Sequence, residues 1–176
     1  MHDYEVEKAL DNITLLVDTR EQMTDRLKER LELAGLPYER QKLDYGDYSA
    51  KCDALDLSKE VVIERKMNLD ELALCFGTQR KRFEREFERA KEAQATIYLL
   101  IEDATWDVLY NEASYKMRCH SRYSAKAMIA SLTAWMARYK MKVIFCNESN
   151  SGRLIKEILF REMKERLKGL DGMDCN

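Results

Sequence analysis

Four short apolar runs set the terms for this chain: ITLLVDT at 13–19, VVIERK at 61–66, ATIYLLIED at 95–103 and KVIFCNE at 142–148. Each is rich in Val, Ile and Leu and is short, so each predicts a strand with apolar neighbours on both faces. Between them the apolar residues recur every three or four positions. MTDRLKERLELAG (23–35) aligns Leu27, Leu31 and Ala34 and stops at Gly35. NLDELALCFG opens on Asn68 with Glu71 three residues on, a capping box. TQRKRFEREFERAKEAQ (78–94) aligns Phe83, Phe87 and Ala90. SAKAMIASLTAWMARYK (124–140) and a last helix from about Ser151 to Leu167 carry long apolar stripes. Short strands are predicted at 37–43 and around DYSAK, and a short helix at TWDVLYNEA. The order is β-α-β-β-β-α-α-β-α-α-β-α. It predicts an α/β domain with a mixed central sheet and helices on both faces.

A length of 176 residues suits one domain with a full core. We read 1–12 as an N-terminal extension, 13–168 as the domain and 169–176 as a tail. No apolar stretch approaches the ~20 residues of a membrane helix, and MHDYEVEKALDN is not a signal peptide. A cytoplasmic protein without membrane contact is the expectation. The net charge of −2 excludes a uniformly basic coat for nucleic acid but leaves room for a local basic patch. Cys52, Cys75, Cys119, Cys146 and Cys175 include no CxxC pair, and His120 beside Cys119 is one Cys/His pair where a zinc site needs more. Reduced, packed thiols are expected.

Function is concentrated in VVIERKMNLDEL. On a strand, Val62, Glu64 and Lys66 share one face and Arg65 takes the other. An acid and an amine two apart at a strand end form the second half of the PD-(D/E)xK pattern. Asp47, 17 residues before Glu64, supplies the first half. The chemistry calls for these types. A hard Mg²⁺ or Mn²⁺ takes carboxylate oxygens, and an adjacent lysine orients water and stabilises developing charge. Taken alone, the triplet also fits a solvated strand end in a chain so rich in charge.

The flanking residues narrow the choice. VDTRE (17–21), then GDY (46–48), then ERKMNLDEL resemble the nuclease domain of the XPF family of structure-specific endonucleases. QRKRFEREFERA resembles that family's next helix, and YLLIED and KVIFCNE its later strands. The resemblance spans about 13–165. It implies a restriction-endonuclease-like fold that cuts branched, flap or junction DNA with Mg²⁺ or Mn²⁺, in repair, recombination or phage DNA processing. It assigns Asp47 and Glu64 to the metal, Lys66 to catalysis, and Asp18 to the metal as a further acid, directly or through water. Arg65 braces the site or touches a phosphate, and Arg20 and Glu21 support it. Asp70 reads equally as a supporting acid and as one favoured by the helix dipole.

Helix 78–91 carries six basic residues against three glutamates. Gln79, Arg80 and Arg82 are expected on DNA phosphates, while its later turns read as a solvated, salt-bridged face. Neither helicase motifs nor the tandem helix-hairpin-helix module of many relatives are seen, which suggests a stand-alone, bacterial or phage-type version. Such a domain is expected to gain DNA grip from a homodimer through 124–140 and 151–167, or from a protein partner. The alternative functions are a non-catalytic DNA-binding or scaffold subunit, and a restriction or mismatch nuclease on the same fold.

Overall fold

The apolar runs pair side by side in the computed structural model, which describes residues 3–169. The strands are β1 (Thr14–Asp18), β2 (Tyr38–Gln41), β3 (Tyr48–Lys51), β4 (Val61–Lys66), β5 (Thr96–Glu102) and β6 (Lys142–Cys146). They form one sheet in the order β2-β1-β3-β4-β5-β6. β3 runs antiparallel to both of its neighbours, and the remaining pairs are parallel. This is the mixed α/β sheet that the periodicity predicts.

The helices are α1 (Asp3–Leu10), α2 (Asp25–Ala34), α3 (Leu69–Phe76), α4 (Arg80–Glu92), α5 (Trp106–Tyr110), α6 (Glu112–Arg118), α7 (Ala125–Tyr139) and α8 (Glu148–Gly169). Side chains at their starts explain several boundaries. Thr24 accepts from Leu27 N, Asn68 from Glu71 N and Ser124 from Ala127 N. Glu71 in turn accepts from Met67 N at 2.7 Å, one residue before the amide a standard capping box would use. TWDVLYNEA is two helices rather than one, because Asn111 ends α5 and its side chain caps α6.

Strand pleating divides the interior into two cores. Val62, Leu99 and Ile101 face α3, α4 and α7, where Phe76, Phe83, Phe87 and Trp135 pack ring against ring. Val61, Ile63 and Leu100 face α1, α2 and α8. Gly152 lets α8 close on α2: a Cβ there would lie 2.2 Å from the Arg30 carbonyl. Cys52, Cys75, Cys119 and Cys146 are free thiols, while Cys175 and the rest of 170–176 lie outside the described residues.

Residues 3–10, in the segment we set apart as an extension, form α1, which buries Val6, Ala9 and Leu10 in the second core. Its stripe is only two turns long, too little for periodicity to register. Leu167 is fully buried and Phe160 half-buried against this core, so part of the apolar surface of α8 is used within the chain. No helix among the described residues is long and apolar enough to cross a membrane.

Candidate active site

Because β3 runs against its neighbours, its start lies beside the ends of β1 and β4. Tyr48 pairs with Val17 on one side and Ile63 on the other. Asp47, one residue earlier, is thereby set between Asp18 and Glu64. Its amide donates to the Ile63 carbonyl and its carbonyl accepts from the Asp18 amide, each at 2.8 Å. Its Oδ2 accepts from the Arg65 amide at 2.7 Å. The preceding turn presses onto β4. Gly46 has φ +72°, and a Cβ there would sit 2.7 Å from Val62 Cβ. Both facts require glycine.

Glu64 and Lys66 point to the α3/α4 side. Lys66 Nζ lies 2.5 Å from Glu64 Oε1, 3.7 Å from Glu71 Oε1 and 5.2 Å from the centre of the Phe83 ring. With Glu71, Leu74, Cys75, Gln79, Arg82, Phe83 and Glu86 they line a cavity of about 270 Å³. The charges at the end of β4 are therefore largely buried: Glu64 is 5% and Lys66 7% exposed.

Burial sets the electrostatics. Loss of hydration, then the Glu64 charge, pushes the Asp47 carboxyl well above its ordinary range. Burial raises Glu64 too; Lys66 opposes this, and Glu86 and Glu71 add to it. Burial pulls Lys66 down, but Glu64 and Asp47 outweigh it and hold the ammonium protonated. Burial pushes the Cys75 thiol up to about 11.

These residues fit a hard divalent cation. Asp47, raised by burial and by the Glu64 charge, and the buried Glu64 both favour a cation beside them, and here Lys66 supplies a positive charge at Glu64. Among the described residues no set of three or more His, Cys, Asp or Glu forms a ready cage. Mg²⁺ does not require one, since it keeps several waters and takes one or two protein carboxylates.

The other expected residues divide into groups. Asp18 is fully buried and both its oxygens are engaged. Oδ1 accepts from Arg20 N and Nε, each at 2.7 Å, and Oδ2 from Leu43 N at 2.7 Å. Burial pushes this carboxyl up, but the Arg20 and Leu43 bonds outweigh it and leave it lowered. Asp18 and Arg20 thus tie the end of β1 to the turn before β3. Arg65 takes the opposite face, 3.2 Å from Glu102 and 3.7 Å from Glu21. Arg30 of α2 reaches the other Glu102 oxygen at 3.1 Å and Ser151 of α8 at 3.1 Å. Asp70 accepts from the His120 and Ser121 amides at 2.7 and 3.0 Å, which holds the loop before α7.

Gln79 and Arg82 line the cavity, whereas Arg80 turns to the Phe76 carbonyl and lies over Trp135. The later turns of α4 are not an intrahelical charge ladder. Glu84 bonds Arg138, Glu88 bonds the Tyr139 hydroxyl, and Arg89 bonds the Asp44 carbonyl.

Sequence reasoning missed Glu86, Glu102 and Arg30, and took Glu71 only for a cap. Glu102 carries a readable signal, an acid ending an apolar strand as Asp18 does. Glu86 follows Phe83 by three positions and so borders the buried face of α4.

The ERCC4 domain model matches residues 17–158, well over half of the chain. The chain belongs to the ERCC4 domain family. Within solved structures, this ERCC4 domain is similar to XPF from Aeropyrum pernix, with a TM-score of 0.61 and 18% identity over 85% of this chain and 61% of that one. It is also similar to XPF from Aeropyrum pernix in complex with DNA, with a TM-score of 0.60 and 19% identity over 87% of this chain and 66% of that one. The ERCC4 domain described here thus spans about two thirds or less of each. A search of curated proteins finds no match. The restriction-endonuclease-like fold and the XPF-family resemblance expected from the sequence are both borne out.

Proposed function

We propose that this ERCC4 domain is a divalent-metal-dependent endodeoxyribonuclease. The observation that carries the reading is Asp47, just before β3, hydrogen-bonded to β4 on either side of Glu64, with Lys66 ion-paired to Glu64 in the wall of one cavity. Asp47 and Glu64 would hold Mg²⁺ or Mn²⁺, which when bound polarises a phosphate and acidifies a water. Asp18, whose oxygens are engaged by Arg20 and Leu43, would support the metal carboxylates by holding the turn that carries Asp47. The Glu64 and Asp47 charges favour the ammonium form of Lys66. It donates to the attacking water or to the phosphate oxygens as their charge grows. Gln79 and Arg82 hold the backbone at the cavity rim, and Phe83 and Leu74 limit water access. Branched, flap or junction DNA is the substrate class we favour, in repair, recombination or phage DNA processing.

We further propose a homodimer, on narrower ground than the apolar stripes alone. Leu167 is used within the chain. What remains is the open sheet edge at β6, with Phe145 half-buried against Trp106, and Met136 of α7, 37% exposed. A second copy would widen the DNA contact, and a basic partner would offset the net charge of −2.

The test is a panel of labelled flap, fork, nicked and linear DNAs incubated with Mn²⁺. Wild type should cut a branched member, and Asp47→Asn or Glu64→Gln should lose both cutting and Mn²⁺ affinity in calorimetry. Lys66→Ala should keep metal and DNA binding and lose cleavage by about a hundredfold or more. Unchanged Mn²⁺ binding in both acid variants would overturn the metal assignment.

A further inference from the structure

The turn that carries Asp47 is held from two directions. From the sheet come the Asp47 amide and carbonyl bonds and the Arg65 amide. From helix α4 comes Glu86, whose Oε1 accepts the Gly46 amide at 3.0 Å. Gly46 immediately precedes Asp47, so its amide plane sets where the aspartate Cα leaves the turn. The same Glu86 oxygen lies 3.8 Å from Arg20 Nη2, and Arg20 holds Asp18. One carboxylate thus joins α4 to both the β1 end and the turn before β3. Its side chain is 15% exposed and forms part of the cavity wall with Glu64 and Lys66.

A buried acid at that place has a cost. Its charge adds to those of Asp47 and Glu64, and it raises the Glu64 pKa. A neutral glutamine could accept the same amide without repulsion. The position is also linked to Lys66, because Phe83, one turn earlier on α4, lies under that ammonium. Helix α4 therefore fixes both halves of the site, Asp47 through Glu86 and Lys66 through Phe83.

We infer that Glu86 is a positioning residue of the active site, which sets Asp47 against Glu64 by holding the Gly46 amide. This rests on the nuclease reading for its catalytic meaning, but its geometry is testable without metal or DNA. The first measurement is amide hydrogen exchange at Gly46 in the metal-free protein. Exchange should speed up in Glu86→Ala and stay slow in Glu86→Gln, whose amide oxygen takes the same bond. The second is Mn²⁺ affinity by calorimetry, with thermal unfolding as the fold control. Glu86→Ala should weaken Mn²⁺ by about tenfold or more, the effect of removing an orienting partner, and Glu86→Gln should recover most of it. Unchanged Gly46 exchange or unchanged Mn²⁺ affinity in Glu86→Ala overturns the assignment. Equal loss of Mn²⁺ in both variants, with slow Gly46 exchange in Glu86→Gln, also overturns it and makes the Glu86 charge a cation ligand. A wild type that binds no Mn²⁺ overturns the metal reading, and with it the catalytic meaning of Glu86. Wild-type binding with an unaffected Glu86→Ala overturns the Glu86 role alone.

Discussion

Asp47 is kept at odds with its surroundings. Its carboxyl has lost hydration and faces Glu64, and its pKa stands well above the ordinary 3.8. An acid whose folded pKa is raised binds more protons folded than unfolded across the window between the two values. Stability is therefore lost as pH rises through that window and is not recovered above it. Asp47→Asn removes this penalty and can keep an oxygen toward the Arg65 amide. In metal-free buffer at about pH 8 it should raise the Tm by ~2–4 °C while abolishing cleavage. The difference should shrink toward about pH 4, near the unfolded carboxylate value. A Tm that falls in Asp47→Asn at the higher pH would show that Asp47 serves the fold instead. Asp18, fully engaged by Arg20 and Leu43, has the opposite sign: its pKa is lowered, so its contribution is present above its ordinary value and lost as pH falls.

At the scale of elements, α4 carries more of the site than any other helix. Its inner face is a stack of Phe83, Phe87 and Ala90 against Trp135. Its flank delivers Arg82, Gln79 and Glu86 to the cavity. Arg80, one position ahead of Lys81, instead lies over Trp135 at 5.8 Å. The two arginines should therefore separate. Arg82→Ala should weaken DNA binding across sequences and reduce the salt slope by ~1, as expected for one lost phosphate contact. Arg80→Ala should leave the slope unchanged. Binding isotherms at several salt concentrations check both, and equal slopes for the two variants would remove Arg82 from the DNA interface.

For the molecule as a whole, the two faces of the sheet divide the work. The α3/α4/α7 face holds Glu64 and Lys66. The α1/α2/α8 face holds Arg65, Glu102 and Arg30 in a buried charge network. Strand β4 belongs to both, through alternate side chains. Among the described residues β6 is one of the two edge strands of the sheet, beside β2 at the other side, and an edge strand can add a partner strand. Light scattering at micromolar concentration should give the dimer mass, and Met136→Glu, a change at an exposed position, should halve it. A monomer mass for the wild type would end the homodimer proposal.

Period and punctuation alone determined most of the architecture. Runs of apolar residues, the Asn68–Glu71 capping box and the Gly35 stop each report on interactions within a few residues, so strands, helices and their order were legible. The opposed faces of Glu64–Lys66 and Arg65 followed from the two-residue period of a strand. Helix α1 was not legible, since two turns of stripe are too few and its stability comes from α8. That Arg80 turns toward Trp135 rather than the cavity was not legible, because rank in sequence does not say which way a helix faces its neighbours. Glu86, Glu102 and Arg30 had no visible partners in the chain, as their contacts lie 40, 37 and 72 residues away. Only tertiary structure brings together groups so far apart, because the reversal of β3 and the packing of α4 decide which strand ends and helix flanks meet.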